Sequence, residues 1–185
     1  GAERAGRSDK GAGGEGKAGA RRNGTMAELN PEHICALLSL LRDAPYFSLL
    51  GIRVSDVQKG YARVEMDVER KLMNPFGSVH GGAYASALDA AAYWAAYGGV
   101  EESAGYTTID LSVSNLAMAR EGRIIVEGRA LKQGRSICLC EAEARDEGGR
   151  LLSFATSKLM VLSGRQSVGD LLKNLGRDAL PPKFL

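Results

Sequence analysis

The sequence predicts an α+β fold in which a six-stranded antiparallel sheet wraps around one long central helix. Three observations carry this. Residues 83–97 hold eight alanines, a composition of high helix propensity, in a stretch long enough for about four turns. Two segments before it and four after it place apolar residues at alternate positions, the mark of strands with one buried face. Consecutive strands are joined by short glycine-bearing turns, which favours antiparallel pairing with the helix laid against one sheet.

Each element has its own signal. Asn30-Pro31 opens a helix over 31–43, with Asn as N-cap and Pro at the first helical position. Ile34, Leu37, Leu38 and Leu41 then recur at helical spacing, and Pro45 follows. His33 is expected on an exposed, solvated face of this helix. Residues 50–57 read as a short strand and Lys59-Gly60 as a turn. Ala62, Val64, Met66 and Val68 alternate with polar residues in the next strand, and residues 70–79 form a loop. The alanine-rich helix, carrying Leu88 and Trp94, is expected to be buried nearly all round and to end at Gly98-Gly99. Strands follow around 109–114, 123–132, 135–146 and 151–162, the last two joined by Gly148-Gly149 as a two-residue hairpin turn. Residues 164–185 carry one short helical pattern at 168–175 in a tail expected to be weakly held.

The chain has 185 residues, 44% hydrophobic and 25% charged, which suits one globular domain with tails. Residues 1–25 hold eight glycines, six Lys/Arg and three Asp/Glu, with no Val, Ile, Leu or Phe. Such a segment cannot bury enough apolar surface to offset its chain entropy. It is expected to be disordered and dispensable, with Met26 the functional start and 26–163 the folded domain. Its charge of +3 against +2 for the whole chain leaves −1 for residues 26–185. The folded part therefore offers no basic stripe for nucleic acid. No apolar run is long enough to span a membrane and no signal-peptide core opens the chain, so no membrane partner and a cytoplasmic location are expected. Cys35, Cys138 and Cys140 form an odd, sparse set that suits a reducing compartment. Cys138 and Cys140 share a strand face and read as small buried hydrophobes, since no second pair completes a zinc site. No metal and no organic cofactor are expected.

The chemistry concentrates between Asn74 and Tyr97. His80-Gly81-Gly82 stands at a helix N-terminus, where unpaired N–H groups and a partial positive charge can stabilise an anion, or an oxygen that becomes one during reaction. Glycine there lets a substrate approach the backbone closely. Asp89 follows Gly82 by seven residues, which at about 100° each falls about 20° short of two full turns. The two therefore share a helix face, with Ser86, Tyr93 and Tyr97 near it. Asp89 either fixes register through a local hydrogen bond or acts on a substrate. His80 more readily orients the loop than acts as a base, because it precedes the helix.

The run Asn74-Pro-Phe-Gly-Ser-Val-His80-Gly81-Gly82, with Asp89 nine residues after the histidine, resembles the hotdog-fold acyl-CoA thioesterases. It is most similar to the phenylacetyl-CoA thioesterase-like branch of the 4-hydroxybenzoyl-CoA thioesterase superfamily, over residues 45–163. The resemblance implies that the Gly81 N–H polarises the thioester carbonyl and that Asp89 is general base or nucleophile. It implies that Asn74 helps hold water or substrate and that Thr108 faces the carboxylate. It places Lys132, Arg135 and Ser136, with Gly82, on the coenzyme A substrate. It also implies self-association to a dimer or tetramer, with each site assembled across an interface. After the strand ending at Asn115 this chain has Ala117-Met118, where the family often has a basic residue or Ser followed by Pro. Tyr46, Phe47, Leu72, Met73 and Phe76 are candidates to line an aryl or medium-chain acyl pocket. A hotdog hydratase is a poor match to the His80–Asp89 spacing. The alternative function is a non-catalytic acyl-CoA binder on the same fold.

Overall fold

The computed structural model describes residues 28–185; the expectations for residues 1–25 and Met26 lie outside them. In chain order the elements are α1 (Pro31–Leu41), α2 (Pro45–Leu50), β1 (Ile52–Gln58), β2 (Tyr61–Asp67), α3 (Gly81–Tyr97), β3 (Ala104–Asn115), β4 (Arg123–Gln133), β5 (Ile137–Asp146), β6 (Leu151–Ser163) and α4 (Val168–Leu175). The strands form one six-stranded sheet in the order β1-β2-β4-β5-β6-β3, every neighbouring pair antiparallel. The sheet wraps α3, which is the hotdog architecture.

The alternating residues of β2 and β4 supply the face that meets the helix: Ala62, Val64, Met66, Ile124 and Val126 are fully buried. Small residues let the backbones close in. A Cβ on Gly128 of β4 would lie 2.2 Å from the Ala91 carbonyl oxygen, so helix and sheet meet main chain to main chain there. Most of α3 is buried, but Gly82, Ala85, Ser86, Asp89 and Tyr93 form a less covered stripe. Among the described residues no helix is long and apolar enough to cross a membrane.

Several local expectations are revised. Helix α2 is an element that the sequence pattern does not mark, and it takes in Leu50, expected to begin a strand; Pro45 occupies its first turn and Gly51, at φ 70°, ends it. Gly98 closes α3 in a right-handed conformation, and the site is tight: a Cβ would lie 3.2 Å from Lys59 Cα. The β5–β6 connection is longer than a two-residue turn: the Asp146 N–H donates to Arg150 O (3.1 Å) and the Gly149 N–H to Asp146 O (2.9 Å). Gly149 takes φ 83° there, and the Asp146 carboxylate accepts from the Gly148 and Arg150 N–H groups.

The largest revision is at the C-terminus, which is tied down. His33 is fully buried. Its Nδ1 donates to the Pro181 carbonyl at 2.6 Å, so its Nε2 accepts from the Tyr97 hydroxyl, also at 2.6 Å. Lys183 is equally buried, its Nζ donating at 2.8 Å to the carbonyls of Tyr97 and Val100. The Asn30 N–H bonds Lys183 O and the Leu185 N–H bonds Glu28 O. Residues 181–185 thus strap α1 to the end of α3.

Candidate active site

The N-terminus of α3 is organised by His80. Its Nδ1 accepts from the Gly82 N–H at 2.9 Å, and its carbonyl accepts from the N–H groups of Ala83 and Tyr84. That leaves the Gly81 N–H without an acceptor among the described residues, a free donor at the positive end of a 17-residue helix. A Cβ on Gly81 would lie 2.8 Å from the Asn115 side-chain nitrogen, so any larger residue here displaces the end of that side chain. The Asn115 amide is itself oriented by Ser153, whose hydroxyl donates to Asn115 Oδ1 at 2.9 Å. Nothing in the sequence pattern marked Asn115; strand and helix ends meet only in the fold.

Asn74 holds the loop leading into α3. Its Nδ2 donates to the Ser78 hydroxyl at 2.9 Å, and its Oδ1 accepts from the N–H groups of Phe76 and Ser78. One amide hydrogen remains for another partner.

Asp89 is half-buried two turns along α3. Its Oδ1 accepts from the Thr108 hydroxyl of β3 at 2.8 Å. Burial pushes the carboxyl above the ordinary carboxylate range, and the Thr108 hydrogen bond pulls partly back. Such a group is a stronger base than a solvated aspartate. Ser86, on the same stripe, is otherwise engaged, donating to Gly82 O at 2.9 Å and pairing with the Tyr46 hydroxyl at 2.7 Å.

Asp89 opens into a cavity of about 880 Å³. Phe47, Ala90, Tyr93, Trp94 and Leu111 line it with Asp89, together with residues of the segment 164–174. Tyr46 and Phe47 border this cavity. Leu72 is instead packed in the core and Phe76 is 87% exposed; neither they nor Met73 border it.

Lys132, Arg135 and Ser136 are exposed on the β4–β5 hairpin. That hairpin touches the other end of α3, where Gln133 Nε2 donates to Ala96 O at 3.1 Å. Ala96 lies about 22 Å from Gly81 along the helix axis at about 1.5 Å per residue. Within one chain, therefore, this cluster is not brought to Gly81. Cys138 and Cys140 are fully buried with sulfurs 3.6 Å apart, and no group of metal-ligating side chains occurs among the described residues.

Residues 76–153 match the family model described as thioesterase superfamily. The chain is 30% identical over 101 residues to the proofreading thioesterase EntH of Klebsiella pneumoniae, covering 55% of this chain and 74% of that one. It is 27% identical over 117 residues to the 1,4-dihydroxy-2-naphthoyl-CoA hydrolase of Listeria monocytogenes, covering 63% and 95% respectively. The crystal structure of a thioesterase from Haemophilus influenzae superposes with a TM-score of 0.69 at 23% identity, over 76% of this chain and 98% of that one.

Proposed function

Because the chain belongs to the thioesterase superfamily and is a thioester hydrolase, we propose that it cleaves an acyl-coenzyme A, or an aryl-acyl-coenzyme A, to the free acid and coenzyme A. The observation that carries this is Asp89: a half-buried carboxylate with a raised pKa, fixed by Thr108, facing an apolar cavity. Asp89 takes a proton from water as that water attacks the thioester carbonyl. The free Gly81 N–H stabilises the charge that develops on the carbonyl oxygen, a type of contact whose loss costs on the order of 10² to 10³ in rate. His80 and Asn74 hold the loop that presents Gly81. The thiolate leaves as coenzyme A, and no cofactor takes part.

The two halves of this machinery are eight residues apart on α3, about 12 Å at about 1.5 Å per residue. Reacting atoms must come within about 3–3.5 Å. A site within one chain would have to span that length of helix, and we take the working unit to be a dimer or larger, as the family resemblance implies, each site pairing Gly81 of one chain with Asp89 of the other. Lys132 and Arg135 are assigned to the coenzyme A phosphates, with Ser136 beside them. Neither cation takes part in an ion pair among the described residues, whereas Arg53, Arg63 and Arg123 all do.

The test is Asp89→Asn assayed across a panel of acyl-CoA esters. Turnover should fall on the order of 10²- to 10⁴-fold while acyl-CoA binding and the melting temperature hold, because the amide is nearly isosteric and relieves a desolvated charge. Near-wild-type turnover would remove Asp89 from the mechanism.

A further inference from the structure

Helix α4 lies beyond residues 76–153, the segment that carries the family match, yet it forms a wall of the cavity into which Asp89 opens. It is built to hold its place. Ser167 and Asp170 cap it reciprocally, and Gly176 closes it in a left-handed conformation. Arg177, just past it, pairs with Asp43 at the end of α1. The connection from β6 is pinned to the start of β3: the Gly164 N–H donates to Ser103 O at 3.0 Å, and a Cβ on Gly105 would lie 1.9 Å from the Gln166 carbonyl oxygen. That approach is open to glycine alone, and it fixes where α4 begins.

The helix is amphipathic. Val168 is buried and Leu171 half-buried, while Gly169, Asp170, Lys173 and Asn174 are exposed. Val168 and Leu171 border the cavity, and Leu171 also packs against the main core. Phe47, Tyr93 and Trp94 also line the cavity. Besides Asp89, the charged residues on the cavity are Arg165, Asp170 and Lys173, all exposed. The interior therefore suits an uncharged apolar group attached to whatever reacts at Asp89. At about 880 Å³ it lies within the range of roughly 300–1,000 Å³ typical of small-molecule pockets.

We propose that α4 gauges the acyl group: the acyl chain of the substrate packs against Val168 and Leu171, and Leu171 sets the largest acyl group that can react at Asp89. This rests on the acyl-CoA reading above and adds to it a specificity-determining element outside the family's matched segment. Leu171 makes no bond to reacting atoms; it acts by the volume it occupies.

The experiment compares wild type, Leu171→Ala and Leu171→Trp on straight-chain esters from acetyl-CoA to palmitoyl-CoA, with molecular mass followed by light scattering. Leu171→Ala should move the preferred chain longer and Leu171→Trp shorter. Each should change the long-to-short ratio of kcat/KM by about tenfold or more, the discrimination that a methylene-sized change in a pocket supports. Opposite shifts from two substitutions at one position are not produced by misfolding. Wild-type turnover with both variants keeping the wild-type profile overturns the role of α4 and leaves the thioesterase reading standing. A change in molecular mass in place of a change in profile overturns it too, making the groove a contact between copies of the chain. No turnover of any ester by wild type refutes the acyl-CoA reading and this one together.

Discussion

Asp89 sits between two opposing influences: burial favours its neutral form, and the Thr108 hydroxyl favours its charged one. Removing the hydroxyl therefore has a definite sign. In Thr108→Val the carboxyl loses the donor that stabilises its anion, and its pKa rises further. A general base works only when ionised, so the acid limb of kcat/KM against pH should move to higher pH. An unmoved limb would mean that the profile reports some other group. Asp89 was legible in the sequence because helical geometry alone puts it on the face of Gly82. His33 was not. Of the apolar residues at helical spacing, Leu37 and Leu41 are buried and Ile34 and Leu38 pack against the core in part, and the buried face also takes in His33 and Leu40. The partners that bury the imidazole, Tyr97 and Pro181, are 64 and 148 residues away, beyond the reach of any local pattern.

At the scale of elements, alternation marked the strands because one face of each meets the core, and alanine content marked α3, most of which is buried. Helix α2 escaped because six residues give less than two turns of pattern, and Pro45 reads equally as a stop for α1. The contact that seats α3 on the sheet makes a direct prediction. Gly128→Ala forces a methyl against the Ala91 carbonyl at 2.2 Å, where neither main chain can step aside. Overpacking of this kind typically costs on the order of 1–3 kcal/mol, so the melting temperature should fall; an unchanged one would mean that α3 rides higher on the sheet. The C-terminal strap makes another. Burial lowers the Lys183 pKa from 10.5 to about 8. Below about pH 8 the ammonium is charged in both folded and unfolded chains, and its desolvation opposes folding in full. Between there and 10.5 the unfolded chain binds the proton that the folded chain has released, so this group's contribution to stability rises with pH. The melting-temperature difference between wild type and Lys183→Met should shift in favour of wild type from pH 8 to 10. A constant difference would show that Lys183 titrates normally.

At the scale of the whole molecule, the wrap of the sheet about α3 leaves the Asp89 stripe as the open side of the helix, and the resemblance carried by Asn74, His80, Gly81 and Asp89 reached the same family as the comparisons. What the linear pattern could not supply was distance. Gly81 and Asp89 share a face, yet about 12 Å of helix separates them, and the proposed site therefore pairs Gly81 of one chain with Asp89 of another. Hybrid dimers test this most directly. Gly81→Pro removes the N–H at a first helical position that tolerates proline, and His80, at φ −67° and ψ 138°, already has the extended conformation that a residue before proline prefers. Gly81→Pro and Asp89→Asn chains should each be inactive alone. Co-expressed with different tags and purified as the hybrid, they should recover turnover, because one of the two sites then contains an intact Gly81 and an intact Asp89. A hybrid as inactive as its parents would contradict a site shared between chains.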